Sequence, residues 1–326
     1  MSHDLHFFKK CETKGSPGFF SSVKNLICPS GSASQETDEE MLRYLGQFRH
    51  FSNPDITPDG FDAGYLNPDT GSQFFFNLHR LAIPEFEKEN RFAGYAYAGL
   101  SCTLNYCRPL FFMLEAAPII EKFAKKFDLA VLDIQDTQPG QLPKPCQAFN
   151  LILSYEKANT ASTQSMIKNL GPDAKVLSGT DPTAYLPPEK ALFWWEYMFN
   201  KHDIDAQMEE NDIDLYVPEL MILRRNSDGV LLTMMALGEG VGYIVPPCDV
   251  FFINRNNNSE TGFILASDLI PLLKPYLTET IILNKTFFVL SSENANRFIE
   301  TLRTLPITDD HEKYTGLLPG SFIDIR

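Results

Sequence analysis

Between Phe92 and Ser178 the hydrophobic period changes repeatedly, and the order it spells is strand, helix, strand, strand, helix, strand. That order leaves few architectures open, chiefly a sheet with its helices gathered on one side. In the opening strand Ala96, Ala98, Leu100, Cys102, Leu104 and Tyr106 share one face, and Tyr95, Tyr97, Ser101, Thr103 and Asn105 share the other. Period two over this length describes a half-buried strand, with Gly99 as a bend in it. Pro118 suits the first turn of a helix reaching Phe127, with Ile119, Ile120, Phe123 and Phe127 on its buried side. Leu110–Ala116 reads equally as helix or strand. Leu129–Ile134 is a buried strand, and Phe149, Leu151, Leu153 and Tyr155 alternate on the next. A helix from Lys157 to Asn169 and an edge at Val176-Leu177 complete a ferredoxin-like βαββαβ order. The expected class is α+β, with two domains of mixed sheet and helices packed on one face.

The rest of the chain is arranged around this block. Residues 12–37 are rich in Ser, Gly, Pro and Thr and read as an arm. Thr37-Asp38-Glu39-Glu40 is a capping box, in which hydroxyl and carboxylate satisfy orphan amides at a helix start. A turn-rich loop follows, and Gln73–Arg80 is a strand. GTDPTAYLPP, from Gly179 to Pro188, is the best boundary. The expected divisions are 1–72 for arm, helix and loop, 73–180 for the first α+β domain, 181–306 for a second with β-hairpins, and 307–326 for an irregular tail. Within the second, Pro187-Pro188 opens a helix, KALFWWEYMF, that is apolar on almost every side and belongs in a core. Asn226-Ser227-Asp228-Gly229 joins Val217–Arg224 to Val230–Ala236 as a hairpin. Later strands are expected at 243–245, 250–254, 280–283 and 287–290, with helices at 267–276 and 292–305.

Charge narrows the partners. The chain holds 28 Lys and Arg against 42 Asp and Glu, a net charge of −14. Nucleic acids and anionic membranes are recognised by cationic surfaces, so neither is an expected partner. A basic protein is. The longest uncharged stretch, Phe92–Cys107, is too short and too polar to span a bilayer. MSHDLHFFKKCETKG has no apolar signal core, and the six cysteines are scattered without a CxxC pair. Both features lead to an expectation of a cytoplasmic chain with reduced thiols.

Candidate chemistry is thin. Asp133 and Asp136 stand where the strand Leu129–Ile134 ends, and Glu115 precedes the helix before it. Carboxylates at the carboxyl end of a strand often hold a divalent metal or act as a general base, although two acids in a turn also serve plain solubility. Gly238-Glu239-Gly240-Val241-Gly242 is followed by a strand-like segment, which makes it a turn rather than a phosphate loop. Cys102 and Cys107 differ in parity on their strand and read as buried structural thiols. Asp55, Asp59 and Asp62 lack the spacing of a calcium loop. Trp194-Trp195 could anchor a partner, but core packing explains the pair better.

Two functions are therefore expected in competition. The first is a soluble interaction protein, inhibitory, immunity-type or regulatory, that meets a basic partner through the acidic stretch Asp203–Glu219, with Asp205, Glu209, Glu210 and Asp212 as its contacts. The alternative is an enzyme using Asp133, Asp136 and Glu115 in an interdomain cleft, with or without a divalent metal. No cofactor is expected.

Overall fold

The computed structural model describes residues 2–11, 35–52, 56–57, 59–79, 92–135, 141–169, 184–255, 260–308 and 311–325. Asp55, Asp136, Val176-Leu177 and nearly all of the expected arm lie outside them. The chain divides into two compact units, Met1–Ala174 together with Arg326, and Lys175–Ile325. Both combine helices with sheets, so the α+β class holds. Among the described residues no helix is long and apolar enough to cross a membrane.

The first unit is built on a seven-stranded sheet of order β2-β3-β4-β5-β1-β6-β7. Its strands are β1 (Ser2–Lys10), β2 (Ile56–Thr57), β3 (Gly60–Leu66), β4 (Gln73–His79), β5 (Tyr95–Asn105), β6 (Leu129–Asp133) and β7 (Lys144–Pro145). Every neighbouring pair is antiparallel. Residues read as an N-terminal arm and loop thus supply strands beside β4 and β5, and β1 lies inside the sheet. Alternation on β1, β3, β4 and β5 sends Leu5, Phe61, Ala63, Phe74, Phe76, Leu100 and Cys102 into one core with helix α2 (Phe111–Lys126). Covering one face of an antiparallel sheet in this way is what period-two strands demand. The expected bend is real: Gly99 has φ 74°. It falls where the β1–β5 register shifts between His6 and Phe8, so the glycine makes a bulge that a side chain would resist.

Two expectations are corrected here. Helix α2 runs from Phe111 to Lys126, with Pro118 inside it rather than in its first turn. An internal proline costs about 3 kcal/mol. Burial of Phe111, Phe112, Met113, Ile120 and Phe123 outweighs that, at roughly 1.5–3 kcal/mol for each large side chain. The unsettled segment Leu110–Ala116 is therefore almost wholly helix. The expected strand over Phe149–Tyr155 is the start of helix α3 (Ala148–Asn169). Its inward residues are Leu151, Tyr155, Asn159 and Thr163, spaced by four, while Phe149 and Leu153 face outward, 69% and 47% exposed. The brief alternation was a coincidence within a helix; the short strand β7 stands in the fourth place of the expected order instead, and its last strand lies outside the described residues. Helix α1 spans Gln35–Leu45.

The second unit carries helix α4 (Pro188–Glu210) and two sheets. One sheet has the order β12-β11-β9-β8-β15, with β11 parallel to β9. Its strands are β8 (Met221–Arg225), β9 (Leu231–Gly238), β11 (Val250–Arg255), β12 (Glu260–Leu265) and β15 (Tyr314–Leu317). The other is β10-β14-β13, from Tyr243–Val245, Lys285–Leu290 and Leu277–Ile282. The hairpin β8–β9 turns at Asn226–Gly229, where the Arg225 guanidinium donates to Asp228. Helix α5 is Ala266–Leu273, and α6 is Ser292–Thr304, capped by the Ser291 hydroxyl accepting from the Asn294 amide. The tail is not irregular. β15 pairs with β8, and Phe322 and Ile323 are 0% and 1% exposed.

Candidate functional site

Glu115 is buried in the first unit, 3% exposed, and its carboxylate is fully engaged. Oε2 accepts from the Tyr65 hydroxyl at 2.9 Å and the Asn67 amide at 3.1 Å. Oε1 accepts from the Thr70 hydroxyl at 2.6 Å and the Ser72 hydroxyl at 2.8 Å. A buried charge without such donors would be prohibitive, and with them it fastens the turn Asn67–Ser72 to helix α2. Burial, followed by the adjoining Glu115 carboxylate, pushes the Tyr65 hydroxyl far above the usual tyrosine range. This carboxylate is a clamp.

Asp133 belongs to a separate network. Its Oδ2 lies 3.2 Å from His3 Nε2 and also accepts from the Ser154 hydroxyl. Its Oδ1 accepts from the Gln135 amide at 3.0 Å. The His3 nitrogen lies close to this carboxylate without reaching ideal hydrogen-bond geometry. The other ring nitrogen of His3 is 2.9 Å from the Tyr106 hydroxyl, and the ring packs edge-on against Tyr106 and Tyr155. Burial acts to raise the Asp133 carboxyl, but His3, Ser154 and the Gln135 amide outweigh it and hold the group below the ordinary carboxylate range. The network ties the first strand, β6 and α3 together. Glu115 and Asp133 are thus occupied in different places. Among the described residues no group of three or more His, Cys, Asp and Glu could hold a metal ion.

The thiols point the same way. Cys102 and Cys107 are buried, and desolvation raises both, which is the wrong direction for a nucleophile at neutral pH. Cys107 does sit at φ 59° in the strand-to-helix connection before α2, with its amide donating to Asn159 Oδ1 at 2.7 Å. That amide held by a buried asparagine explains the unusual backbone. Cys146 and Cys248 are each pushed up to about 12 by burial. Cys11 is disulfide-bonded, which corrects the expectation of reduced thiols for that residue. Among the remaining candidates, Asp62 is an exposed residue 3.6 Å from His79, and the segment Glu239–Gly242 is the turn between β9 and β10.

Helix α4 gathers what is left. Trp194 is core, its indole N–H donating to the Leu220 carbonyl at 2.6 Å and its ring against Phe322. Trp195 is half-buried and packs on Phe199, so the helix is not enclosed on every side as expected; Leu192 and Phe199 are 49% and 42% exposed. Its second half is acidic. Asp203, Asp205, Glu209 and Glu210 are exposed on the helix, with Asp212 and Asp214 just beyond it, and no basic residue occupies its last turn.

The same helix walls a cavity of about 380 Å³ with the β13–β14 hairpin and β10. Phe193, Tyr197, Ile204, Val245, Phe287 and Leu283 make it apolar, and Glu196 and Lys285 form an ion pair among the lining groups. The Tyr197 hydroxyl donates to the Pro218 carbonyl at 2.8 Å. Sequence reading missed this site because its walls come from three distant segments with no shared motif. The only local signal was the aromatic density of α4. Comparison with family models, curated proteins and solved structures finds no match to this chain.

Proposed function

We propose that this chain is a protein-interaction module, inhibitory, immunity-type or regulatory, that meets a basic partner in the cytoplasm through the acidic second half of α4 and the turn after it. The observation that supports the reading is the placement of the acids. Glu209 and Glu210 lie in the last turn of α4 and Asp212 just beyond it, with Asp205 a turn earlier; backbone carbonyls already concentrate partial negative charge at that end, and no cation in the last turn offsets the acids there. Each exposed acid in such a position is unfavourable by about 0.3–1 kcal/mol. Fold stability does not account for them. Association with a cationic surface does, since complementary charge accelerates encounter.

The test replaces the four together, Asp205→Asn, Glu209→Gln, Glu210→Gln and Asp212→Asn. The variant is expected to unfold at higher denaturant, by about 1 kcal/mol in stability, because repulsion at the helix end is relieved. In affinity capture from the native cell lysate, wild type retains a basic protein at low salt and releases it at moderate salt, and the variant does not retain it. A partner held equally by both, at either salt, overturns the reading.

A further inference from the structure

We propose that the cavity beneath α4 binds a free α-amino acid with a large apolar side chain. Its volume, about 380 Å³, lies in the range of roughly 300–1,000 Å³ usual for small-molecule sites, and most of its walls are aromatic or aliphatic. Apolar walls of this kind stabilise an apolar body. They do not by themselves choose among apolar ligands; the two charges do.

Glu196 and Lys285 both line the cavity and pair with each other, with side chains 47% and 45% exposed. An ion pair that exposed contributes about 0–1 kcal/mol, so opening it is cheap. A zwitterion replaces it without leaving a charge over. The ligand ammonium takes Glu196, and the ligand carboxylate takes Lys285. A ligand with one charge would pair with one of these residues and leave the other to solvent, gaining one contact where a zwitterion gains two. A neutral ligand leaves the pair as it is and gains nothing from it. Asn200 and Thr286 are the other polar residues of the lining.

A second observation bears on the same place. Leu283 and Asn284 form the β13–β14 turn with φ 49° and 61°, the two positive values that a tight type I′ hairpin requires. Asparagine tolerates this region, whereas leucine is a poor choice for it. The Leu283 amide donates to Gln207 Oε1 of α4 at 3.2 Å, and its side chain lines the cavity. An apolar residue kept in an unfavourable backbone well on a cavity wall fits a site shaped for a ligand.

Calorimetric titration of the full chain with L-phenylalanine, L-leucine, glycine and N-acetyl-L-phenylalaninamide tests this. Saturable binding of phenylalanine or leucine is expected. The uncharged amide should bind at least about tenfold more weakly, a difference of about 1.4 kcal/mol, and glycine should not bind measurably. Glu196→Gln and Lys285→Met, both at exposed positions, should each weaken phenylalanine binding about tenfold with the circular dichroism spectrum unchanged. No saturable heat with either apolar amino acid at roughly 10 mM, a regime weaker than 1 mM affinity, overturns the proposal. Equal binding of phenylalanine and its neutral amide also overturns it, and leaves a pocket for an uncharged apolar group.

Discussion

Glu115 and Glu196 are both glutamates on long helices, and the structure uses them in opposite ways. Glu115 is enclosed, and four donors from a fixed turn and a strand fill its acceptor sites. Glu196 is half exposed, and its ion-pair partner is one flexible lysine at a cavity. The first carboxylate has no capacity left for a substrate. The second can exchange its partner at little cost. Sequence pattern marked Glu115 as a catalytic candidate beside Asp133 and Asp136 and passed over Glu196, yet what separates a structural acid from an available one is the number and rigidity of its donors.

The largest expected effect tests the locked member of the pair. Glu115→Ala leaves two hydroxyls, a phenol and an amide without their acceptor, and an unsatisfied buried polar group costs about 1–3 kcal/mol. Urea denaturation followed by circular dichroism should show a loss of about 3 kcal/mol or more. Glu196→Ala should cost under about 1 kcal/mol in the same assay, because it removes only an exposed pair. If the two losses proved equal, the distinction would fail.

A smaller effect comes from Asp133. Its carboxyl is held below the ordinary range in the folded chain, so its contribution to stability is complete above the unfolded value of about 3.9. That contribution fades as pH falls through the folded value. Wild type should therefore exceed Asp133→Asn in stability at neutral pH, with the gap closing as pH drops below the carboxylate range. A gap that stayed constant with pH would mean that Asp133 acts through shape alone.

How much of this was legible depends on the range of the signal. The alternation of β5 and β4, the Asn226–Gly229 hairpin and the burial of Trp194 were readable because each depends on neighbours within a few residues. Helix α3 was misread at Phe149–Tyr155 because four alternating apolar residues are fewer than a helix needs to declare its period. β1 escaped because SHDLHFFKK places His3 among core positions, where a buried histidine is admissible only with Asp133 and Tyr106 opposite it. The tail escaped for a similar reason, since Phe322 and Ile323 are a short apolar pair whose partners lie far back in the chain, at Trp194 and Tyr185. The acidic surface was legible residue by residue. Its conflict with the helix C-terminus emerged only once α4 was seen to reach Glu210.

The smallest effect is the most discriminating for the open member of the pair. Leu283→Asn places a residue suited to positive φ at the turn, and relief of that strain favours the variant by about 1 kcal/mol. Leu283 is 39% exposed, so the apolar burial lost is a fraction of a full leucine, and the two changes nearly cancel. Stability should then stay within about 1 kcal/mol of wild type, while phenylalanine binding weakens severalfold as the cavity loses part of its apolar wall. A packing defect would behave differently. The same substitution would stabilise the fold, and the calorimetric response to phenylalanine would not depend on it.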